Sequence, residues 1–184
     1  MARAFHILKH EHRVIERVLR AVDGICMRLE GGSLVPAASL SQVADFINTF
    51  ADRIHHGKEE SLLFPVLERR GISREGGPLG AMEREHEFER KLLGELRLAI
   101  AEYRDGDKDA THRFVEAART YIRTLIGHIE TEDRILFTIG DEMLTDEDKT
   151  ALAESFREAQ ERVGGDVLQK YEALATELEE RWAF

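Results

Sequence analysis

Only one cysteine, Cys26, occurs in the 184 residues, which excludes an intramolecular disulfide framework and fits a reducing compartment. Proline occurs three times and aromatic residues make up only 7% of the chain, a profile that favours helices over sheets. No apolar run approaches the length of a membrane span, and the opening Met-Ala-Arg-Ala-Phe-His-Ile-Leu-Lys-His lacks a signal-peptide core. These absences predict a cytoplasmic protein. Basic residues are outnumbered, 26 Lys and Arg against 36 Asp and Glu, and the net charge of −10 argues against nucleic acid or an anionic membrane as a partner. It does not argue against cations.

What is present is apolar periodicity. From about Ala4 to Glu30, Leu8, His12, Ile15, Leu19, Val22, Cys26 and Leu29 recur at steps of four and three, the seam of a helix packed in a bundle. His12 sits inside that seam, and Cys26 in the same stripe reads as a buried, inert thiol. Gly31-Gly32 ends the helix. A second helix is predicted from about Ser39 to Arg69, with Val43, Ile47, Phe50, Ala51 and Ile54 on one face. At about 100° per residue His55 projects roughly 80° from the middle of that face and His56 points nearly opposite, so His55 is the better inward candidate. Pro65 predicts a kink inside this helix. A third helix, from about Pro78 to Arg104, carries Met82, His86, Glu89, Leu93, Leu96, Ile100 and Tyr103 in one seam. A fourth, from about Ala110 to Ile139, has Phe114, Ala118, Tyr121, Leu125, His128, Glu132 and Leu136 on one face. Beyond Gly140, Thr145-Asp146-Glu147-Asp148 reads as a capped helix start leading to about Val163, and Val167 to Trp182 is a last amphipathic segment.

The stretch His55-His56-Gly57-Lys58-Glu59-Glu60-Ser61-Leu62-Leu63-Phe64-Pro65 has a near-copy in Gly127-His128-Ile129-Glu130-Thr131-Glu132-Asp133-Arg134-Ile135-Leu136-Phe137. His55 falls on His128, Glu59 on Glu132, Glu60 on Asp133, and Leu63-Phe64 on Leu136-Phe137. Each copy carries a histidine and, one helical turn on, a carboxylate, a spacing that lets both reach one metal ion. The echo extends upstream, since Glu11-His12 resembles Glu85-His86, and 43 residues separate His12 from His55 where 42 separate His86 from His128. The first four helices, residues 1–140, therefore read as an all-α, antiparallel four-helix bundle built from two helix-loop-helix repeats, with 141–184 as a C-terminal helical extension. Such a bundle gathers His12, His55, Glu59, His86, His128 and Glu132 at one level of its core. A lone buried histidine is more often a hydrogen-bonded core residue than a ligand, but four at two matched spacings need a joint explanation. A pair of metal ions supplies it.

These motifs resemble the hemerythrin-like proteins of the bacterial HHE cation-binding type. The match runs through Glu11-His12, the His-x-x-x-Glu-Glu run before Leu63-Phe64-Pro65, Glu85-His86-Glu87 and His128-x-x-x-Glu132-Asp133, and covers about residues 4 to 140. The resemblance implies two iron ions with an oxo or hydroxo bridge, held by the six residues above, and dioxygen, a peroxide or nitric oxide as the small-molecule partner. Two departures bear on the carry-over. Oxygen-carrying hemerythrins place another ligand histidine one turn before the one matching His86, and here that position is Met82, a poor ligand for hard iron. The expected substitutes are an open position, water, Glu89 or Tyr121, and the loss tilts the reading from oxygen carriage towards sensing, scavenging or iron handling. The second departure is the doubled His55-His56 with Glu59-Glu60: the repeat favours His55 with Glu59, and His56 with Glu60 is the alternative, Asp133 being the counterpart of Glu60.

Two other function classes remain open at this point. A ferritin-like or rubrerythrin-like oxidase carries Glu-x-x-His pairs, and Glu83 with His86 fits that spacing once. A regulatory module would pass metal or gas binding to the C-terminal helices, which are also candidates for a homodimer contact. His6, His10 and His112 have no matched partner and read as surface residues. Glu16, one turn after His12, reads as a solvated carboxylate or one that orients an imidazole.

Overall fold

Helix ends fall where glycine and proline break the apolar periodicity. In the computed structural model, which describes residues 3–184, α1 spans Arg3–Glu30 and closes at Gly32, whose φ of 77° is a left-handed conformation that suits glycine. α2 is the continuous helical run 37–69, α3 spans Pro78–Arg104 with its proline in the first turn, and α4 is the run 110–143. α5 (Asp146–Val163) starts at a capping box, in which the Thr145 hydroxyl accepts from the Asp148 N–H and the Asp148 carboxylate accepts from the Thr145 N–H. α6 (Val167–Trp182) completes the chain, and no strand occurs among the described residues. Met1 and Ala2, which open the expected 1–140 unit, lie outside the described residues.

Two helices change their winding. α2 is an α-helix over Ala37–Phe46, π-wound over Ile47–His56 and again over Glu59–Leu63, and an α-helix once more over Phe64–Arg69. α4 passes from Ala110–Thr131 through a π segment at Glu132–Leu136 to Phe137–Met143. A π turn closes i→i+5 hydrogen bonds, so it rotates less per residue than an α turn. The segments headed by Glu59 and Glu132 occupy equivalent places in the two repeats. At Pro65, which has no N–H to donate, the helix goes on: the π segment ends just before it, where the Phe64 N–H donates to the Glu59 carbonyl, and the run continues to Arg69.

The buried apolar residues form two clusters. The larger includes Ile15, Ile25, Phe50, Leu96 and Tyr121, the smaller Phe5, Leu8, Phe64, Met82 and Phe137. Along α1 and α3 the chain runs from the smaller cluster, past His12 or His86, to the larger. Along α2 and α4 it runs from the larger, past His55-His56 or His128, to the smaller. The four helices therefore alternate in direction around one core, with a layer of buried polar groups across its middle. α6 adds Tyr171, Ala175, Leu178 and Trp182 to the larger cluster, and α5 adds Leu152 and Phe156 to the smaller. Both C-terminal helices thus turn apolar side chains onto the bundle.

Candidate metal centre

The polar layer receives His12 from α1, His55, His56 and Glu59 from α2, His86 and Glu89 from α3, and His128 and Glu132 from α4, all buried. Their donor atoms gather into two groups, each within 4.8 Å: His12, His55, Glu59 and Glu132 in one, and His56, Glu59, His86 and His128 in the other. Glu59 belongs to both, with Oε1 3.4 Å from His55 Nε2 and Oε2 3.6 Å from His86 Nε2. Glu132 Oε2 lies 3.3 Å from His12 Nε2 and 3.3 Å from His128 Nε2. Both carboxylates thus stand between two sets of imidazoles, where a carboxylate can serve two cations at once.

The imidazoles are aimed by carboxylates behind them. Nδ1 of His12 donates to Asp133 at 2.8 Å, that of His55 to Glu11 at 3.0 Å, that of His86 to Glu60 at 2.7 Å and that of His128 to Glu85 at 2.8 Å. An ionised carboxylate only accepts, so a neutral ring held in this way keeps its hydrogen on Nδ1 and presents a lone pair at Nε2. The pairing follows the repeat: Glu11 to His55 and Glu85 to His128 are one contact made inside each copy, while Asp133 to His12 and Glu60 to His86 are one contact made between copies. Phe137 stacks on His12 with ring centroids 5.5 Å apart, and Phe64 on His86 at 5.9 Å, which closes the layer against the smaller cluster.

Without cations this layer is electrostatically unbalanced. His12 Nε2, His55 Nε2, both nitrogens of His56, and both carboxylate oxygens of Glu59, Glu89 and Glu132 are buried without a hydrogen-bond partner. His86 Nε2 and His128 Nε2 face each other at 3.0 Å, a contact that is favourable only with a proton or a cation between them. Burial, and then the charge of Glu132, push the Glu59 carboxyl well above its usual range. Burial also opposes charge on Glu132, but His128 and His12 outweigh it and hold that carboxyl well below. Burial and the neighbouring His12 push His55 well down, and burial and His86 do the same to His56. On His128 burial is outweighed by Glu132 and Glu85, which hold the imidazole well above its ordinary value. Burial raises Glu89 to about 8, and burial with the charge of Glu89 raises the Tyr121 hydroxyl well above its normal range. Imidazole and carboxylate donors in this number and spacing fit two divalent first-row ions, which would engage the orphaned atoms directly.

The model of one family, the hemerythrin HHE cation binding domain, matches residues 3–139. The chain belongs to that family. This HHE chain is also similar to Uncharacterized protein Rv1995 of Mycobacterium tuberculosis (strain ATCC 25618 / H37Rv) and to Uncharacterized protein Mb2018 of Mycobacterium bovis, 25% identical to each over 159 residues. The match covers 86% of this chain and 62% of each relative, so the chain spans under two thirds of their length. No solved structure matches.

Within this HHE fold the six expected site residues meet in the layer, and the structure differs from expectation at His56. It does not point away; it is buried beside His86, with ring centroids 3.9 Å apart. The angular reading assumed α winding from Val43 onward, whereas the chain is π-wound over Ile47–His56. Each residue there turns through a smaller angle, which brings both histidines to the inner side. Glu60 is not the partner of His56: it is half-buried and accepts from His86 and Arg90. Met82 packs in the smaller apolar cluster, and Tyr121 in the larger. Glu16 pairs with Arg13 at 3.1 Å rather than with an imidazole, and Glu83 accepts from Arg74 at 2.6 Å, away from His86. His6, His10 and His112 are exposed. The sequence reading missed Glu11 and Glu85 behind the rings, Asp52, 3.8 Å from His56 Nδ1, and Lys58, which donates to Glu11. The signal for two of them was present in the repeated Glu-His dipeptides, whose glutamates serve the histidine of the next helix.

Proposed function

We propose that this HHE chain holds a pair of iron ions in its polar layer and binds or reacts there with dioxygen, a peroxide or nitric oxide, in sensing, scavenging or iron handling rather than plain oxygen carriage. The observation that carries the metal reading is the 3.0 Å approach of His86 Nε2 to His128 Nε2, each ring tethered at Nδ1 to a carboxylate. In this assignment His12 and His55 serve one ion, His56, His86 and His128 the other, and Glu59 and Glu132 serve both. His56 supplies the nitrogen that oxygen-carrying hemerythrins take from the position of Met82. The choice of iron over manganese or zinc rests on the family resemblance, since the donors accept all three. A bound pair of ferrous ions would supply two electrons for the reduction of a small oxidant. Asp133, Glu11, Glu60 and Glu85 fix the ring orientations, and Phe64 and Phe137 exclude water from one side of the layer. No described helix is long and apolar enough to cross a membrane. We infer a cytoplasmic location from the lone, buried Cys26, which fits a reducing compartment.

A regulatory role finds support in one contact chain. Glu11, which holds His55, also takes a hydrogen bond from Lys58 and lies 3.4 Å from the Gln160 amide of α5, and Lys58 sits 6.0 Å from the centre of the Phe156 ring. α5 therefore touches the group that aims a ligand.

Anaerobic reconstitution with ferrous iron tests the main reading, with metal counted per chain and visible spectra recorded on admission of oxygen. Two irons per chain are expected, one for each donor group, with a new visible band. A reversible band supports sensing and an irreversible one turnover; a chain that takes up no iron overturns the reading.

A further inference from the structure

The two repeats match in most polar contacts of the layer; besides Lys58, whose counterpart is Thr131, they differ in one cluster. His56 corresponds in the repeat to Ile129, Asp52 to Leu125 and Glu89 to Ile15, and these three counterparts are buried apolar residues. The three polar members are adjacent in space. Asp52 Oδ1 lies 3.8 Å from His56 Nδ1, and His56 Nε2 lies 3.6 Å from Glu89 Oε2. Glu89 is 2% exposed, and neither of its oxygens has a hydrogen-bond partner. An unpartnered carboxylate in a dry core is costly, and nothing in the apolar packing of α3 asks for one at a seam position. No carboxylate of the four second contacts described above is left without a donor in this way.

We propose that Glu89 is a terminal oxygen ligand of the metal held by His56, His86 and His128, and that it makes the two ions of the pair chemically unequal. The proposal rests on the reading of the layer as a metal centre. The 3.6 Å separation from His56 Nε2 is typical of two donors on one ion; Glu89 is not among the donors that lie within 4.8 Å of one another, so its flexible side chain would have to turn to bring an oxygen onto the ion. The ion on this side would then draw three imidazoles, the two shared carboxylates and a carboxylate of its own. The other draws two imidazoles and shared carboxylates only. The additional negative oxygen favours harder ions and higher charge on the Glu89 side, which therefore fills first.

Titration of the metal-free full-length protein with Co²⁺ tests this, read by visible d–d absorption and calorimetry, in the wild type and in Glu89→Gln and Glu89→Ile; the second variant restores the residue type found at the equivalent position of the other repeat. Wild type is expected to bind two Co²⁺ in two unequal steps. Both variants should weaken the tighter step by about tenfold or more, in line with the loss of one ligand, and should raise the d–d absorptivity of that step as coordination number falls. Thermal unfolding of the metal-free variants controls for folding, and their midpoints should equal or exceed the wild-type value because an unpaired buried carboxylate has gone. Variants that keep the wild-type titration and spectra overturn the role of Glu89 while leaving the metal centre intact. A wild type that binds no Co²⁺ overturns the metal reading itself.

Discussion

Lys58 is a cation buried to 3% exposure that donates to Glu11, with the Phe156 ring 6.0 Å from its ammonium. Glu11 in turn accepts from His55 Nδ1 at 3.0 Å. A buried pair of this kind offers little net stability, but removing one partner strands the other charge. Lys58→Met is accordingly expected to lower stability by about 3–5 kcal/mol, and adding Glu11→Gln in the same chain should recover most of that loss. Urea unfolding of the two single variants and the double variant checks it, and an additive result would mean that the two side chains do not act as a pair. Glu11→Gln alone has a second consequence, because a neutral amide no longer fixes the His55 ring through a charge-assisted bond. Metal affinity should fall by about 10- to 100-fold, as read by anaerobic titration. At this scale the sequence shows which residue types are needed and not which of them meet. His12, His55, His86, His128, Glu59 and Glu132 are legible because their spacing repeats. The carboxylates behind the rings are not, since Glu11 serves His55 rather than its neighbour His12, and only the packing of α1 against α2 decides that.

At the scale of elements, the α1–α6 seam is held by a close approach at Gly24. A Cβ built there would lie 1.8 Å from the Trp182 carbonyl oxygen, a backbone atom that the Arg28 guanidinium also holds at 2.7 Å. Backbone cannot rotate out of the way as a side chain can, so α6 must move. Gly24→Ala should cost roughly 1–3 kcal/mol despite the better helix propensity of alanine. Native-state hydrogen exchange should become faster in α6 and stay unchanged in α3, whereas uniform acceleration would place the effect in α1 itself. Helix boundaries were the most legible feature of the chain. Gly31-Gly32, Pro78, the Asp105-Gly106 turn and the Thr145 cap stop or start helices for local chemical reasons, and the structure puts ends at each of them. Winding was not legible. An i→i+5 turn and an i→i+4 turn use the same residues, and the choice over Ile47–His56 is made by the burial of both His55 and His56 in a core that other helices complete. A helical wheel drawn at one pitch across that segment places His56 on the wrong side.

For the whole molecule, the polar layer holds most of the buried polar atoms that lack a hydrogen-bond partner, and metal binding should turn that cost into a gain. Two cation sites filled to a thousand times their dissociation constants would add about 4 kcal/mol each, provided the unfolded chain does not compete. For a chain of this size each kcal/mol moves the unfolding midpoint by about 2–4 °C, so loading should raise it by roughly 15–30 °C over the chelator-treated protein. The layer lies between the two apolar clusters, and α6 contributes to the larger and α5 to the smaller, so the gain should not stop at the bundle. Trp182, the single tryptophan, reports on α6 from the larger cluster, while far-UV circular dichroism reports on all helices. The two signals should move together on metal loading and coincide in one transition, with or without metal. A Trp182 transition that stays at its metal-free temperature while the dichroism shifts would place a cooperative boundary near residue 140, and α5 with α6 would then be a detachable extension, free to leave the Lys58–Glu11 pair and expose it.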